Sequence, residues 1–155
     1  MSENRILSPD DIKRVKGLGC LQDKRYTDVF NVRVITRNGR ITTDEVRSIA
    51  EAADTYGSGK VAMTSRLTIE IQGVKYDNIE PMIAFLQSRG LDCGGTGAKV
   101  RPVVSCKGTT CQYGLIDTFS LSEKVSMRPY WQVVPLQETT GRTLAPVPPQ
   151  SRPRL

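Results

Sequence analysis

Along residues 30–105 the spacing of apolar side chains switches from two to about 3.6 and back, twice over. "FNVRVIT" (30–36) alternates, with Phe30, Val32 and Val34 on one face and Arg33 on the other, in phase with Arg37. That is a half-buried strand. Asn38-Gly39 supplies a turn. Thr42 and Glu45 then make a capping box for a helix whose apolar stripe is Val46, Ile49, Ala50 and Ala53, with Gly57 and Gly59 ending it. Two strands follow, "KVAMT" (60–64) and "LTIEIQ" (67–72), the second with Leu67, Ile69 and Ile71 facing one way. Asp77 is expected to cap a second helix, striped by Ile79, Met82, Ile83 and Leu86 and stopped by Gly90. Pro81 falls in its first turn, where a missing N–H does little harm. "KVRPVVS" (99–105) reads as a last strand, and a helix restarts near 115–124.

Strand, helix, strand, strand, helix, strand is the split βαβ order. It predicts an α+β, ferredoxin-like (βαββαβ) domain over residues 30–125, with a mostly antiparallel sheet and two helices on one face. The opposite face is expected to carry Arg33, Arg37 and Arg66. Arginine on a strand is usually solvated surface; three from separated segments on one open face favour an anion site. Residues 1–29 read as an N-terminal extension, opened by a helix with Ser8 as cap and Pro9 first. Residues 126–155 read as an irregular tail, because they hold six of the nine prolines and no sustained periodicity.

Composition narrows the functional classes. At 155 residues the chain holds one domain with a real core. Half of the net charge of +6 lies in the tail, where Arg128, Arg142, Arg152 and Arg154 face the single acid Glu138. Basic runs interleaved with aromatics are absent and aromatics are only 6%, which argues against a nucleic-acid module. The absence of histidine excludes Ser-His-Asp and Cys-His catalysis and His-ligated metals. It leaves Lys, Tyr, Asp, Glu and Cys, and the chemistry of a bound cofactor. No apolar run is long enough to span a membrane, and Met1 leads into the polar "SENR", so a cytoplasmic protein without a membrane partner is expected.

The densest chemistry lies in "SCKGTTCQYG" (105–114), where Cys106 and Cys111 flank Gly108 and two threonines. Small residues and hydroxyls near thiolates let backbone N–H groups approach sulfur, as an iron–sulfur cluster requires. Two inert cysteines, or half of a zinc site, satisfy the same spacing. Neither "YGSGKV" (56–61) nor "GGTGAK" (94–99) matches a phosphate loop, which needs a glycine five residues ahead of a Gly-Lys pair and a strand before it; the first segment follows a helix and precedes a strand. Lys99 and Arg101 nonetheless point the same way along the segment leading to Cys106. Cys20 and Cys93 have no ligand spacing and read as structural.

"FNVRVITRNGRITTDEV" (30–46), "TSRLTIEIQGV" (64–74) and "GLDCGGTGAKVRPVVSCKGTTCQYGLIDT" (90–118) together resemble the nitrite/sulfite reductase family, most of all its small assimilatory-type sulfite reductases. The resemblance runs from about Lys16 to Lys124, and the last block is its most specific part. It implies a half-domain of a siroheme enzyme with a [4Fe–4S] cluster, reducing sulfite or nitrite with electrons from a donor protein such as a ferredoxin. Cys106 and Cys111 match the first pair of cluster ligands. Arg66 matches the arginine of a Thr-x-Arg segment that meets siroheme carboxylates or the substrate anion. Arg33, Lys99 and Arg101 match basic positions around that site. Siroheme carries eight carboxylates, so a pocket for it needs such cations. The family's second cluster pair, in a Gly-Gly-Cys-Pro-Asn-x-Cys segment, is absent from this sequence. The expectation is therefore a front part that stops before its cofactor site is complete, with the other half supplied by another chain. The competing expectation is a non-catalytic ferredoxin-like module that binds an anion or a partner.

Overall fold

The computed structural model describes residues 6–126. Its sheet has four strands, β1 (Cys20–Gln22), β2 (Val29–Val34), β3 (Val61–Met63) and β4 (Ile69–Lys75), in the order β1-β2-β4-β3 and antiparallel throughout. Helices α1 (Pro9–Gly17), α2 (Thr43–Tyr56), α3 (Ile79–Ser88) and α4 (Thr118–Ser126) complete the described residues, with two 3-10 turns at Tyr76–Asn78 and Gly108–Thr110. The fold is α+β, with β2, α2, β3, β4 and α3 in the order of a ferredoxin-like split βαβ domain. The tail reading falls on residues 127–155, outside the described residues.

One face of the sheet makes the core. Phe30, Val32 and Val34 on β2 and Ile69, Ile71 and Val74 on β4 pack with Ile49, Ala52 and Ala53 of α2 and Ile79, Met82 and Leu86 of α3. Each side chain of this size, fully buried, contributes about 1.5–3 kcal/mol of transfer free energy. A bulge keeps β4 in phase: Val32 pairs with Ile71 but Phe30 with Val74, so a step of three residues on β4 opposes a step of two on β2. Gly73 absorbs the extra residue at φ 75°, and a Cβ there would sit 2.7 Å from Cβ of Ser58. Only glycine fits that crossing.

The extension is part of the same core. Ser8 caps α1 by accepting from the Asp11 amide at 3.1 Å, Pro9 opens the helix, and Leu7, Val15 and Cys20 are buried with the sheet. On α2 the capping box is present as expected. Its buried stripe is Ser48, Ile49, Ala52 and Ala53, whereas Val46 and Ala50 are exposed. The sequence offers two overlapping stripes. The one adopted satisfies the Ser48 hydroxyl on the Asp44 carbonyl at 3.0 Å and sets Tyr56 against Phe85, with ring centroids 6.0 Å apart. Asp77 lies inside the 3-10 turn Tyr76–Asn78, and Asn78 is the residue flanking α3.

The last expected strand is where sequence and structure part. Residues 99–105 join no ladder. The edge of β2 is already taken, by β1 opposite Phe30–Val32 and then by residues 92–94, where Val34 bridges Cys93. The Ile35 amide donates to Asp92 O at 2.8 Å and the Gly94 amide to Arg33 O at 3.1 Å. Pro102, moreover, has no N–H to give a ladder. Leu67, expected in β4, stands in the turn before it at φ 58°. Among the described residues no helix is long and apolar enough to cross a membrane.

Candidate functional site

Of the three arginines expected on the open sheet face, only Arg33 is on it. It stands opposite Glu70 in the β2–β4 register and is bound to it through two nitrogens, Nη2 at 2.7 Å and Nε at 3.1 Å from Oε1. Both side chains are largely buried, at 11% and 17% exposure, so Arg33 is neutralised within the protein. Its other amino group donates to the Gly95 carbonyl at 3.4 Å. Arg37 lies past the end of β2 and pairs with Glu45 at the start of α2, at 2.6 Å. Burial pushes the Glu45 carboxyl upward, but the Thr42 amide, the Arg37 guanidinium and the Thr42 hydroxyl outweigh it and hold Glu45 below the usual carboxylate range.

Arg66 is carried by the β3–β4 turn. That turn is closed by the Thr64 amide on Thr68 O at 2.9 Å, the Leu67 amide on Thr64 O at 3.0 Å and a Thr64–Thr68 hydroxyl contact at 2.7 Å. The Leu67 carbonyl also accepts from the Thr36 hydroxyl. Leu67, a branched residue in the left-handed region, carries real backbone strain. Arg66 itself is exposed and has no side-chain partner among the described residues. The same holds for Lys99. Arg101 reaches back to donate to the Gly95 carbonyl at 2.9 Å. Gly95 thus brings together two expected cations, Arg33 and Arg101, on one neutral acceptor.

The glycines of "CGGTG" serve close packing, not phosphate. A Cβ at Gly95 would lie 2.5 Å from Cδ of Pro102, and one at Gly19 would lie 2.6 Å from the Gly94 nitrogen. Thr96 is fully buried and donates to the Lys16 carbonyl. The loop is therefore pinned on α1, and the segment bearing Lys99 and Arg101 leaves it in a set direction.

Cys106 is exposed and Cys111 half-buried, on either side of the 3-10 turn Gly108–Thr110. The Cys106 carbonyl is held by the Thr118 hydroxyl at 2.7 Å. Cys20 and Cys93 face the core, and burial pushes both thiols up to about 12. Among the described residues no three His, Cys, Asp or Glu side chains gather to hold a metal. Two accessible thiols do not fit a four-iron cluster by themselves. The guanidinium and ammonium groups of Arg66, Arg101 and Lys99 are of the chemical kind that pairs with the carboxylates of an anionic macrocycle. Sequence reading missed Glu70 as the counter-charge of Arg33, and it took Asn38 for a turn residue only. The alternation of β4 put Glu70 on the right face, but its partner depends on the bulge at Gly73.

Residues 22–89 match the family described as the nitrite/sulfite reductase ferredoxin-like half domain. An uncharacterized protein of Methanocaldococcus jannaschii is 29% identical over 116 residues, 72% of this chain and 42% of that protein. The Coenzyme F420-dependent sulfite reductase of the same organism is 30% identical over 101 residues, 64% of this chain and 16% of that enzyme. The chain thus spans less than half the length of either relative. Among solved structures, that of dissimilatory sulfite reductase I superposes with a TM-score of 0.59 at 22% identity, over 65% of this chain and 24% of that one. At that identity the likeness is one of fold.

Proposed function

We propose, from the match of residues 22–89 to the nitrite/sulfite reductase ferredoxin-like half domain, that this chain is the anion-facing component of a siroheme and iron–sulfur reductase acting on sulfite or nitrite. The observation that carries the reading is the contrast between its cations. Arg33 is neutralised by Glu70, whereas Arg66 and Lys99 have no counter-charge among the described residues and Arg101 meets only a carbonyl. Exposed cations held this close to a strained turn and a pinned loop suit an anionic ligand. One curated relative is itself a sulfite reductase, which supports the substrate class.

When bound, siroheme supplies the iron at which the oxyanion is reduced. Arg66 and Arg101 neutralise carboxylates and hold the small anion through their planar guanidinium donors. Lys99 carries a transferable proton, and in a chain without histidine it is the candidate side chain suited to proton delivery. Arg33 works indirectly, fixing the Gly95 carbonyl on which Arg101 rests. Cys106 and Cys111 supply two thiolates toward a [4Fe–4S] cluster, and the remaining ligands come from outside this sequence. An electron donor of the ferredoxin type and a chain bearing those ligands are the implied partners. Four free cysteines suit the reducing cytoplasm.

The test is an anaerobic absorption spectrum with iron and sulfide analysis, on protein expressed with siroheme supply. Siroheme bands are expected in the wild type and a loss of about tenfold or more in siroheme affinity in Arg66→Ala, as for removal of a charge-assisted contact. Unchanged siroheme binding by Arg66→Ala would sink the assignment of the site.

A further inference from the structure

Asn38 stands in the left-handed region at φ 54° and is 7% exposed, so its side chain is turned inward from a tight turn. A turn residue needs no such burial. Its carboxamide makes its hydrogen bonds to two successive residues far along the chain, Ser105 and Cys106. Oδ1 accepts from the Ser105 amide at 2.7 Å, while Nδ2 donates to the Ser105 hydroxyl at 2.5 Å and to the Cys106 carbonyl at 3.3 Å. The backbone of residues 99–105 has no sheet partner, so little else holds this segment. Thr118 ties the same Cys106 carbonyl from the other side. Two residues before Asn38, the Thr36 hydroxyl accepts from the Gly39 amide at 2.9 Å and donates to the Leu67 carbonyl, beside Arg66. One turn thus grips both the Cys106 segment and the Arg66 turn.

We infer that Asn38 is a positioning residue, whose carboxamide fixes the backbone on either side of the Ser105–Cys106 link, at the Ser105 amide and the Cys106 carbonyl, and thereby the place of the Cys106 thiol. The functional weight of that grip rests on the reading of Cys106 given above; the grip itself does not. Asparagine suits the post because it tolerates the left-handed backbone and offers a donor and an acceptor together. Aspartate keeps the acceptor and loses the donor. Glycine keeps the backbone and loses both.

The experiment compares wild type, Asn38→Gly and Asn38→Asp as the full chain without cofactor. Hydrogen exchange is followed at Ser105, and alkylation by iodoacetamide is resolved per cysteine by peptide mass spectrometry. Asn38→Gly is expected to speed exchange at Ser105 about fivefold, the loss of one hydrogen bond of ordinary net strength. It is also expected to raise the alkylation rate of Cys106 while Cys20 and the β2 and β4 amides are unmoved. Asn38→Asp keeps the acceptor for the Ser105 amide and is expected to retain protection there. Unchanged Ser105 exchange in Asn38→Gly would overturn the inference. So would acceleration spread equally over the sheet, which would make Asn38 a contributor to global stability only. Neither readout involves siroheme or iron, so a failure of cofactor loading would count against the proposed function and leave this inference standing.

Discussion

Cys20 and Cys93 lie opposite Val32 and Val34 on β2 and so share the core face of the sheet, where water cannot solvate a thiolate. Burial raises each thiol from an ordinary 9.0 to about 12, and for Cys93 the neighbouring Cys20 and Asp92 push the same way. At pH 8 the folded chain should therefore alkylate at Cys106 and Cys111 while Cys20 and Cys93 react only after denaturation, as peptide mass spectrometry would show. The same shift sets a pH window. An acid whose folded pKa is raised stabilises fully below its unfolded value and loses that contribution as pH climbs toward the folded value. Urea stability should fall between roughly pH 9 and 12 by up to about 1.4 kcal/mol per pH unit for Cys20. Cys20→Ala should flatten that decline. At Arg33 the prediction concerns an ion pair. Glu70→Ala leaves a largely buried guanidinium without its counter-charge and should cost about 3 kcal/mol by urea denaturation. The sequence showed both charges on the right face, yet which acid met Arg33 was illegible, because a single bulge resets every pairing beyond it.

Two helix starts were legible because their signals are local. Ser8-Pro9 and the Thr42–Glu45 box act within four residues, and both stand where the pattern put them. The rotation of α2 about its axis was not, since Val46 and Ala52 compete for the core and only packing decides. Nor was the role of the glycine pair after α1. Gly17 ends the helix with open space around it, while Gly19 has φ 106° and would drive a Cβ to 2.6 Å from the Gly94 nitrogen. Gly17→Ala should stabilise by about 0.5–1 kcal/mol. Gly19→Ala should destabilise by about 2–3 kcal/mol, through left-handed strain and a backbone collision. Thermal melts of the two variants should move in opposite directions.

At the scale of the whole molecule, the described chain divides into a well-covered sheet and a thinly covered arm. Val100, Val104, Tyr113, Leu115 and Ile116 are all at least half exposed, and the arm of residues 98–117 takes part in no ladder. Hydrogen exchange should be fastest there and slowest in β2 and β4, and a uniform profile would contradict this division. The pattern of periods made the order of elements and the fold class readable. It overstated the last strand, because a run such as Val103-Val104 looks alike whether it joins a sheet or only lies extended, and an occupied edge is invisible in a linear text. The candidate site was legible in its residue types and in the exposed cysteine pair, but not in which cation remains free.

The edge beside β2 is assembled from two lengths of chain, and that has a consequence in time. Residues 20–22 meet 30–32 after closing a short loop, whereas residues 92–94 reach 33–35 only after both helices and β4 have been laid down between them. Loop closure of that length is slow to begin and is rewarded late. The second length should then be the last part of the edge to close, and the segment that carries Lys99 and Arg101 takes its start from it.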